Sequence, residues 1–509
     1  MVGLEIHVEL ATRSKMFTRA ANAADPLNYD AAPNTLVDPV VLGLPGTLPV
    51  MNKRAVEMAM RVGLALGCRI AERTKWDRKS YFYPDLPKGY QISQYDQPLC
   101  FDGAVDLAMS DDPLDESAGE KRIGIIRAHL EEDTGKLGHE LPGGGEFEGS
   151  LVDLNRAGTP LLEIVTAPDF ESAEEVVRFA KWLRGVCRYL GVTEGIMQKG
   201  HMRFEPNINV VIEGTDGKTH KTPIVEVKNL NSFKAVEGAI TFEYARQQEE
   251  WVRTGREMGP GAKSTRGWDD VENVTVLQRE KEDAHDYRYF PDPDLIEVWV
   301  DEAWRERVRG ELREGPGPRL KRYVRTYGLA VKEAQQMVDE PGVCLFYEEC
   351  IAAIKEPAPS GAGLAEAKAG KQAANMVLQL GGKHANLKGT SVEKLGITPG
   401  QIAGIVALRE ANKIGSTAAD ELFGLLCETG ESAEQVASAK GLLQVTDMGA
   451  IEGWVREALA ANPKAVESIR AGKMNAIGSI VGAVMKASGG KADAKAVGDL
   501  VRKELGVQG

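Results

Sequence analysis

From residue 4 to residue 10, apolar side chains alternate with polar ones. Successive side chains of a β-strand point to opposite faces, so this period of two predicts a half-buried strand. Its apolar face would pack in a core, while Glu5, His7 and Glu9 would project together from the other face. Similar alternation predicts further strands at 123–131 and 208–212.

Elsewhere a helical period of 3.6 replaces the alternation, and capping residues mark where helices begin. Ser172 with Glu175 three residues later predicts an N-cap and capping box, and the apolar face then runs to Gly191, a favourable helix end. The segments 398–401 (Thr-Pro-Gly-Gln) and 432–435 (Ser-Ala-Glu-Gln) repeat the capping box. Capped helices therefore dominate the last part of the chain.

Strand signals thin out after about residue 291, and helical patterns take over from Asp301, interrupted by Gly-Pro-Gly-Pro at 315–318. A chain of 509 residues is also too long for one ordinary domain. We therefore predict an α+β fold class with three parts. A mixed α/β domain covers 1–295, an all-helical domain 296–395, and a small helical tail domain 396–509.

The composition, with 43% hydrophobic and 27% charged residues, is that of a soluble globular protein. We expect no membrane span, because no apolar run reaches the roughly 18 residues that one requires. The net charge of −13 argues against non-specific coating of nucleic acid. The charge is uneven, however. From Arg470 to Lys503 there are seven Lys and Arg residues against two Asp and Glu residues, which leaves room for a local basic patch.

The cysteines are scattered and form no CxxC pair, so neither a disulfide framework nor a zinc knuckle is expected. A reducing cytoplasm fits them better. The N-terminal residues carry Glu5 and Glu9 and no basic segment, so we expect no secretory signal. The six cysteines are Cys68, Cys100, Cys187, Cys344, Cys350 and Cys427.

Three acidic features are candidates for chemistry. Glu5 and Glu9 flank His7 on one strand face, which suits a hard divalent cation, although a solvated face with an incidental histidine explains the pattern as well. The consecutive acids Glu131, Glu132 and Asp133 repel one another unless a cation, water or a base compensates them, and a surface turn is the alternative.

Glu163 differs from these acids because its neighbours on both sides are apolar. An isolated buried carboxylate is unfavourable, so Glu163 should be paired with a base or bound to a metal. We therefore predict a role for Glu163 in a functional site.

The segment 76–90 interleaves cations with aromatic residues. Such a surface suits phosphates and a stacked base, from ATP or from the end of an RNA, although a loop packed on its own aromatics is equally compatible. No Walker or GxGxxG motif occurs in a strand-to-helix context, which excludes those two types of nucleotide site. No Ser-x-x-Lys or amidase-type Gly/Ser-rich stretch suggests that this chain releases ammonia itself.

These segments, taken in order, resemble the B-subunit family of the aspartyl/glutamyl-tRNA(Asn/Gln) amidotransferases of the bacterial and organellar type. No single motif decides the resemblance, but the ordered set is highly specific and spans nearly the whole chain. The matching segments are 2–10, 48–56, 77–85, 91–96, 129–133, 151–165, 227–233, 286–291 and 481–488.

The resemblance implies a cradle-shaped catalytic domain, a helical domain and a tail domain that contacts tRNA. It implies that the chain uses ATP and Mg²⁺ to phosphorylate the side-chain carboxylate of misacylated Glu-tRNA(Gln) or Asp-tRNA(Asn). A partner amidase would release ammonia from glutamine and deliver it through a tunnel, and a third, small partner protein would complete a heterotrimer. No membrane partner is expected.

The resemblance also assigns residues. It places a metal site on His7, Glu163 and the pair Glu131 and Glu132, of which spacing does not say which one is a ligand. Glu5 is a further ligand or an orienting acid, so Glu5, His7 and Glu163 are the expected catalytic residues.

Basic residues receive binding roles from the same resemblance. Lys79, Lys88 and Arg156 are candidates for the ATP phosphates or the tRNA terminus. Lys473 and Lys486 are candidates for the tRNA-binding surface of the tail.

The chain departs from the family where a Cys-Asp pair is usual, since it has Phe-Glu-Pro at 204–206 and Glu205 stands in place of the aspartate. A non-catalytic tRNA-binding adaptor is the alternative function, against which the complete set of Glu5, His7 and Glu163 argues. The related archaeal-type family carries an inserted domain, for which the direct passage from Pro291 into helices leaves no room.

Overall fold

A computed structural model describes residues 1–140, 145–214, 217–280, 287–357, 363–444, 448–471, 473–488 and 492–507. Asp286, the first residue of one matching segment, lies outside these ranges. The chain folds into two compact units, Met1–Pro318 and Arg319–Gly509.

The first unit is built on β-strands. In chain order they are β1 Val2–Glu9, β2 Arg69–Ile70, β3 Arg73–Thr74, β4 Asp77–Ser80, β5 Tyr90–Ser93, β6 Cys100–Ala108, β7 Glu120–Glu132, β8 Lys136–Glu140, β9 Glu146–Asp153, β10 Pro160–Thr166, β11 Met202–Ile208, β12 Val211–Glu213, β13 Thr219–Lys221, β14 Val225–Lys228, β15 Ser264–Asp269, β16 Val274–Glu280, β17 Phe290–Pro291 and β18 Val298–Trp299. Among the described residues, nine of them form one sheet in the order β16-β15-β14-β11-β1-β10-β7-β6-β2.

Strand β1 lies in the middle of this sheet, antiparallel to both β10 and β11. Its apolar residues Leu4, Ile6 and Val8 are buried in the main core, which confirms the predicted strand. The helices α1 Lys53–Ala65 and α2 Ala173–Tyr189 contribute to that same core. The polar residues of β1 therefore project from the sheet face opposite to the core.

Two further helices complete the first unit, α3 Phe233–Thr254 and α4 Glu302–Gly310. The predicted N-cap of α2 is confirmed, since the Ser172 hydroxyl accepts a hydrogen bond from the Glu175 N–H (3.2 Å). The second bond of the predicted capping box is different, because the Glu175 carboxylate accepts from the Glu171 N–H (2.7 Å). Asp301 caps α4, in agreement with the predicted start of the helical region.

The prediction of a strand at 208–212 is wrong. Strand β11 ends at Ile208, its pairing with the β1 end of the chain stops at Asn209, and Val210 leaves the ladder. The Asn209 N–H donates to the Met1 carbonyl (3.1 Å), and the Val210 N–H donates to the Thr222 hydroxyl (2.8 Å). Val211 then begins the separate hairpin of β12 and β13.

The second unit is helical in its described part. The remaining helices are α5 Pro316–Tyr327, α6 Val331–Val338, α7 Pro341–Lys355, α8 Glu366–Ala374, α9 Gly382–Lys388, α10 Pro399–Glu410, α11 Ser416–Leu426, α12 Ala433–Ala439, α13 Met448–Ala461, α14 Pro463–Arg470, α15 Ile477–Ala487 and α16 Ala494–Leu505. A π-helical segment, Asn375–Gly381, joins α8 to α9. The capping boxes predicted at Thr398 and Ser432 are confirmed.

The sequence predicted a break in the helical pattern at 315–318. Helix α5 already begins at Pro316, so the observed break lies before that residue. Proline is tolerated in the first helical turn, where backbone N–H groups have no partner within the helix.

The fold class is confirmed as a sheet-rich mixed unit followed by an all-helical region. The division into domains 1–295, 296–395 and 396–509 stays a prediction. A separate apolar cluster within α13, α15 and α16 includes Val455, Ile480 and Val501. No helix in the described ranges is long and apolar enough to cross a membrane.

Candidate active site

Four charged or titratable side chains form one row across the central strands of the sheet. Arg203 on β11 opposes His7 on β1, His7 opposes Glu163 on β10, and Glu163 opposes His129 on β7. Directly opposed residues of an antiparallel pair lie on the same face, with Cβ atoms about 4.5–5.5 Å apart. The strand register alone therefore gathers residues that are far apart in the sequence.

Glu163 is the centre of this row. Its Oε2 lies 3.6 Å from His7 Nε2 and 3.7 Å from His129 Nε2. Glu131, one same-face step from His129 along β7, places Oε1 4.0 Å from His7 Nε2. Glu163 is 6% exposed and Glu131 is 3% exposed. The structure therefore brings together His7, Glu163 and Glu131, which is one of the two glutamates that the resemblance left open.

The neighbouring row extends the charged face toward β14. Glu5 directly opposes Glu205, whose Oε1 lies 3.9 Å from His7 Nδ1. The Lys228 ammonium pairs with Glu205 and also with Glu226, the latter at 3.0 Å. Glu205 thus lies beside the cluster and is held there by a lysine.

The electrostatics of these groups depend on one another. Burial lowers the pKa of His7, but the carboxylates of Glu163 and Glu205 outweigh burial and raise the pKa to about 9. Burial lowers the pKa of His129 to about 4, so its imidazole is neutral near pH 7. His7 is therefore the charged partner of the Glu163 carboxylate.

The pKa values of the acids shift in opposite directions. Burial raises the pKa of Glu163, but the imidazoles of His129 and His7 and the Lys79 ammonium lower it below its ordinary value. Burial raises the pKa of Glu131 to about 7, although Lys79 opposes the change. Burial and the nearby Glu163 carboxylate also raise the pKa of Glu5. The charged forms of Glu131 and Glu5 are therefore disfavoured in this cluster.

These donors fit a divalent cation. Ligand atoms of Glu5, His7 and Glu163 lie within 4.8 Å of one another, and so do those of His129, Glu131 and Glu163. The Nδ1 of His129 is buried and has no hydrogen-bond partner within the described part of the chain. Carboxylate oxygens are the ligands that Mg²⁺ prefers, and a cation would relieve the repulsion among these acids.

Two protein-family models match this chain. The family model described as the GatB/GatE catalytic domain matches residues 1–306. The model described as the GatB domain matches residues 362–505. Together they cover most of the chain and both compact units.

Proteins similar to this chain share its full length. One from Caldicellulosiruptor bescii is 41% identical over 508 residues, which cover 99% of this chain and 98% of the relative. One from Anaeromyxobacter dehalogenans is 42% identical over 506 residues, with coverage of 99% and 98%. Both are named as the B subunit of an aspartyl/glutamyl-tRNA(Asn/Gln) amidotransferase. The chain belongs to this GatB family.

Glu132 lies outside the cluster. Glu132 follows Glu131 on β7 and therefore points to the opposite face. There it pairs with the Lys88 ammonium and accepts a hydrogen bond from the Ile92 N–H (3.0 Å). Of the two glutamates that the sequence left open as ligands, only Glu131 lies in the cluster.

Of the three basic candidates, only Lys79 lies beside the cluster. Lys79 lies on β4 at the edge of the cluster. Burial lowers its pKa, but the carboxylates of Glu131 and Glu163 outweigh burial and raise it. Lys88 pairs with Glu132, outside the cluster. Arg156 donates to the carbonyls of Thr134 (3.0 Å) and Gly135 (2.7 Å) and so supports the backbone.

Glu9 shares the face of His7 but belongs to a second buried group. Burial and the nearby Asp133 carboxylate raise the pKa of Glu9 to about 8. Asp133 pairs with Arg203 and, at 3.6 Å, with Arg156. Glu9 has no assigned role in the cluster around Glu163.

The two tail residues lie in the second unit. Lys473 and Lys486 are both exposed, and Lys486 occupies the last turn of α15. Their proposed contact with tRNA stays a prediction.

The sequence did not assign several residues that the structure places in or beside the cluster. Arg127, His129 and Glu131 alternate along β7 in the same way as the polar residues of β1, so the period-two pattern could have identified His129. Arg203 on β11 and Lys228 on β14 also alternate with apolar residues, but only strand pairing shows that these strands lie beside β1.

Proposed function

We propose that this chain amidates the amino acid attached to misacylated tRNA, as the names of its relatives describe. The substrates would be Glu-tRNA(Gln) and Asp-tRNA(Asn), and the reaction is that of a ligase that forms a C–N bond with nitrogen from glutamine. The observation that carries the proposal is the buried Glu163 carboxylate, held between His7 and His129 within a full-length match to the GatB family.

The residue types suit the activation of a carboxylate. A carboxylate is a poor electrophile until one oxygen becomes a good leaving group, and phosphorylation by ATP provides such a group. Phosphoryl transfer depends mainly on positioning and on charge neutralisation. His7, Glu131 and Glu163 would hold Mg²⁺, which neutralises phosphate charge when bound, and Glu5 would orient this set.

Lys79 complements the acidic cluster. Its half-buried side chain places the ammonium near Glu131 and Glu163, so its charge can act at close range on a phosphate. We infer that Lys79 binds a phosphate oxygen of ATP during the transfer. Before a cation binds, the protonated His7 holds Glu163 in one orientation through their 3.6 Å contact, and His7 would release that proton to become a ligand.

The cluster also limits access of water. Glu131 and Glu163 lie on a sheet face where both are nearly inaccessible to solvent. An acyl phosphate formed there would react with ammonia in preference to water only if water is excluded. The low exposure of the acids supports that requirement.

Partner proteins are part of the proposal. The relatives are named as one subunit of several, which fits a multi-subunit enzyme. We propose a partner amidase as the source of ammonia and a small third protein that completes a heterotrimer. The six free thiols support a reducing compartment such as the cytoplasm.

The test is an amidation assay with the heterotrimer of this chain, the amidase and the small third protein. Glu-tRNA(Gln) and Asp-tRNA(Asn) are supplied in turn with glutamine, ATP and Mg²⁺, and the amino acid on the tRNA is then analysed. We expect Gln-tRNA or Asn-tRNA to form only when ATP is present, and ammonium chloride to replace glutamine. If the complex binds tRNA but forms neither product, the adaptor function is correct and the proposal is wrong.

A further inference from the structure

The loop at 81–89 joins strands β4 and β5 and is held in a fixed position. The Tyr81 N–H donates to the Gly89 carbonyl (3.2 Å), which closes the loop. The Leu86 side chain is buried, and the Asp85 carbonyl accepts from the Gly135 N–H (2.9 Å). The conformation of this loop is therefore determined by its contacts.

Two large rings nevertheless project from this fixed loop into solvent. Phe82 is 88% exposed and Tyr83 is 60% exposed. A Cβ atom at Gly89 would lie 2.9 Å from the Phe82 ring, so the ring lies directly on the glycine backbone. Adjacent exposed rings on a well-held loop are typical of a binding surface, since their exposure is otherwise unfavourable.

A series of tyrosine rings connects this loop with the active site. Ring centroids are 6.2 Å apart for Tyr83 and Tyr81, 6.0 Å for Tyr81 and Tyr287, and 6.1 Å for Tyr287 and Tyr289. The Lys79 ammonium lies 5.2 Å from the centroid of Tyr287. The rings thus extend from solvent to the lysine beside the carboxylate cluster.

We propose that Phe82 and Tyr83 stack on unpaired bases at the 3′ end of the aminoacyl-tRNA. This inference rests on the proposed function and deepens it. Every base has a face that can stack on an aromatic ring, and single strands are bound in this way without readout of their sequence. Bases held at the outer rings leave the terminal residue and its amino acid to reach the cluster.

The adenine of ATP is the competing occupant. A single adenine needs one stacking partner close to the phosphates, whereas the two exposed rings follow each other in the sequence and Tyr83 is separated from Lys79 by Tyr81 and Tyr287. A strand of several nucleotides fits this spacing better than one nucleotide does.

The first test uses Phe82→Ala and Tyr83→Ala in the assembled complex, with Phe82→Trp as the variant that keeps a ring. Val271→Ala is the matched control, because Val271 is 84% exposed at the turn between β15 and the edge strand β16. Loss of one stacked base weakens binding about tenfold, so KM for Glu-tRNA(Gln) should rise about tenfold per ring. KM for ATP should stay within about twofold. The Phe82→Trp variant should bind Glu-tRNA(Gln) as the wild type does.

A rise in KM for ATP without a change in KM for Glu-tRNA(Gln) would assign the rings to adenine and overturn the inference. Unchanged values of both would overturn it as well.

The second test measures binding alone and does not require catalysis. The Kd of the complex is determined for intact tRNA(Gln) and for the same tRNA trimmed of its unpaired 3′ nucleotides. Trimming should weaken binding to the wild-type complex and should have no further effect on the Phe82→Ala, Tyr83→Ala double variant. Equal losses in both proteins would contradict stacking at these rings. If the wild type binds tRNA in this way but forms no amidated product, the proposed function fails while the binding surface stands.

Discussion

The two units of the chain differ in how many charged side chains they bury. The sheet of the first unit buries many ionisable side chains, whereas Arg319 is the one charged residue buried among the described residues of the second unit. Buried charge is unfavourable for stability unless it is paired, so its concentration on one sheet face indicates chemistry. The buried ionisable residues on this face are Glu9, His129, Glu131, Asp133, Glu163 and Glu226.

The second unit instead keeps apolar residues inside and charges outside. The cluster formed by α13, α15 and α16 consists of aliphatic side chains, and Lys473 and Lys486 lie exposed around it. Exposed cations act over the Debye length and are screened by salt, which suits attraction of a nucleic acid. The comparison thus assigns short-range chemistry to the first unit and long-range attraction to the second.

The largest expected effect comes from removing one charge at the centre of the cluster. Glu163→Gln keeps the shape of the side chain but removes its negative charge, and amidation should fall by at least about a hundredfold. Hydrolysis of glutamine by the partner amidase should continue. Glu120→Gln, an exposed change on β7, is the control. His7→Ala should behave like Glu163→Gln, and near-normal amidation by both would contradict the metal assignment.

The raised pKa values of Glu5 and Glu131 show that their carboxylates lack sufficient compensation, which predicts stabilisation by a cation. Thermal unfolding of the wild-type chain, followed after removal of metal and again with Mg²⁺, should show a higher Tm with Mg²⁺. At a concentration 100 times the Kd, the gain is about 2.7 kcal/mol. The Glu163→Gln variant should show a much smaller gain. Equal gains in both proteins would locate the cation elsewhere.

The ion pair of Arg319 with Glu348 inside the second unit should affect the free energy of unfolding and not the amidation rate. Glu348 pairs with the buried Arg319 and accepts a hydrogen bond from the Tyr323 hydroxyl (2.8 Å). Glu348→Ala should destabilise the chain by about 2 kcal/mol, because Arg319 loses the carboxylate that pairs with it. Glu349→Ala, at the exposed neighbouring position, should change stability little. Urea unfolding measures both, and equal effects would refute this role for Glu348.

The smallest effect is expected on the surface of the tail. Lys473→Glu and Lys486→Glu should each weaken tRNA binding about threefold at moderate salt, with a shallower dependence of log Kd on log salt concentration. Lys473→Arg keeps the charge and should bind normally. Titrations at several salt concentrations test the pair, and an unchanged slope would exclude these lysines from the interface.

The sequence predicted the parts of the site that depend on local pattern. The alternation in β1 placed Glu5 and His7 on one face, and the apolar neighbours of Glu163 indicated that this acid is buried. The sequence could not decide whether Glu131 or Glu132 is the ligand. Adjacent strand residues point to opposite faces, and the pattern did not say which face carries the site. His129 meets Glu163 only through the pairing of β7 with β10.

The incorrect strand at 208–212 has a related cause. Its residues alternate suitably, but the partners of their backbone groups lie at Met1 and Thr222. Hydrogen-bond partners so distant in the sequence leave no trace in a local pattern, whereas helix caps, whose partners lie three residues away, were predicted correctly at Ser172, Thr398 and Ser432.

The row through His7, Glu163 and His129 has a consequence for how this protein can be altered. Inserting or deleting one residue within β10 would shift its register, turn Glu163 toward the core and present Leu162 or Ile164 in its place. The ladder that aligns the acids with the imidazoles also keeps those aliphatic side chains inside. Loops between strands can change length without this penalty. Engineering of the site is therefore restricted to substitutions on these strands. Transfer of the site to another protein would require transfer of the whole sheet.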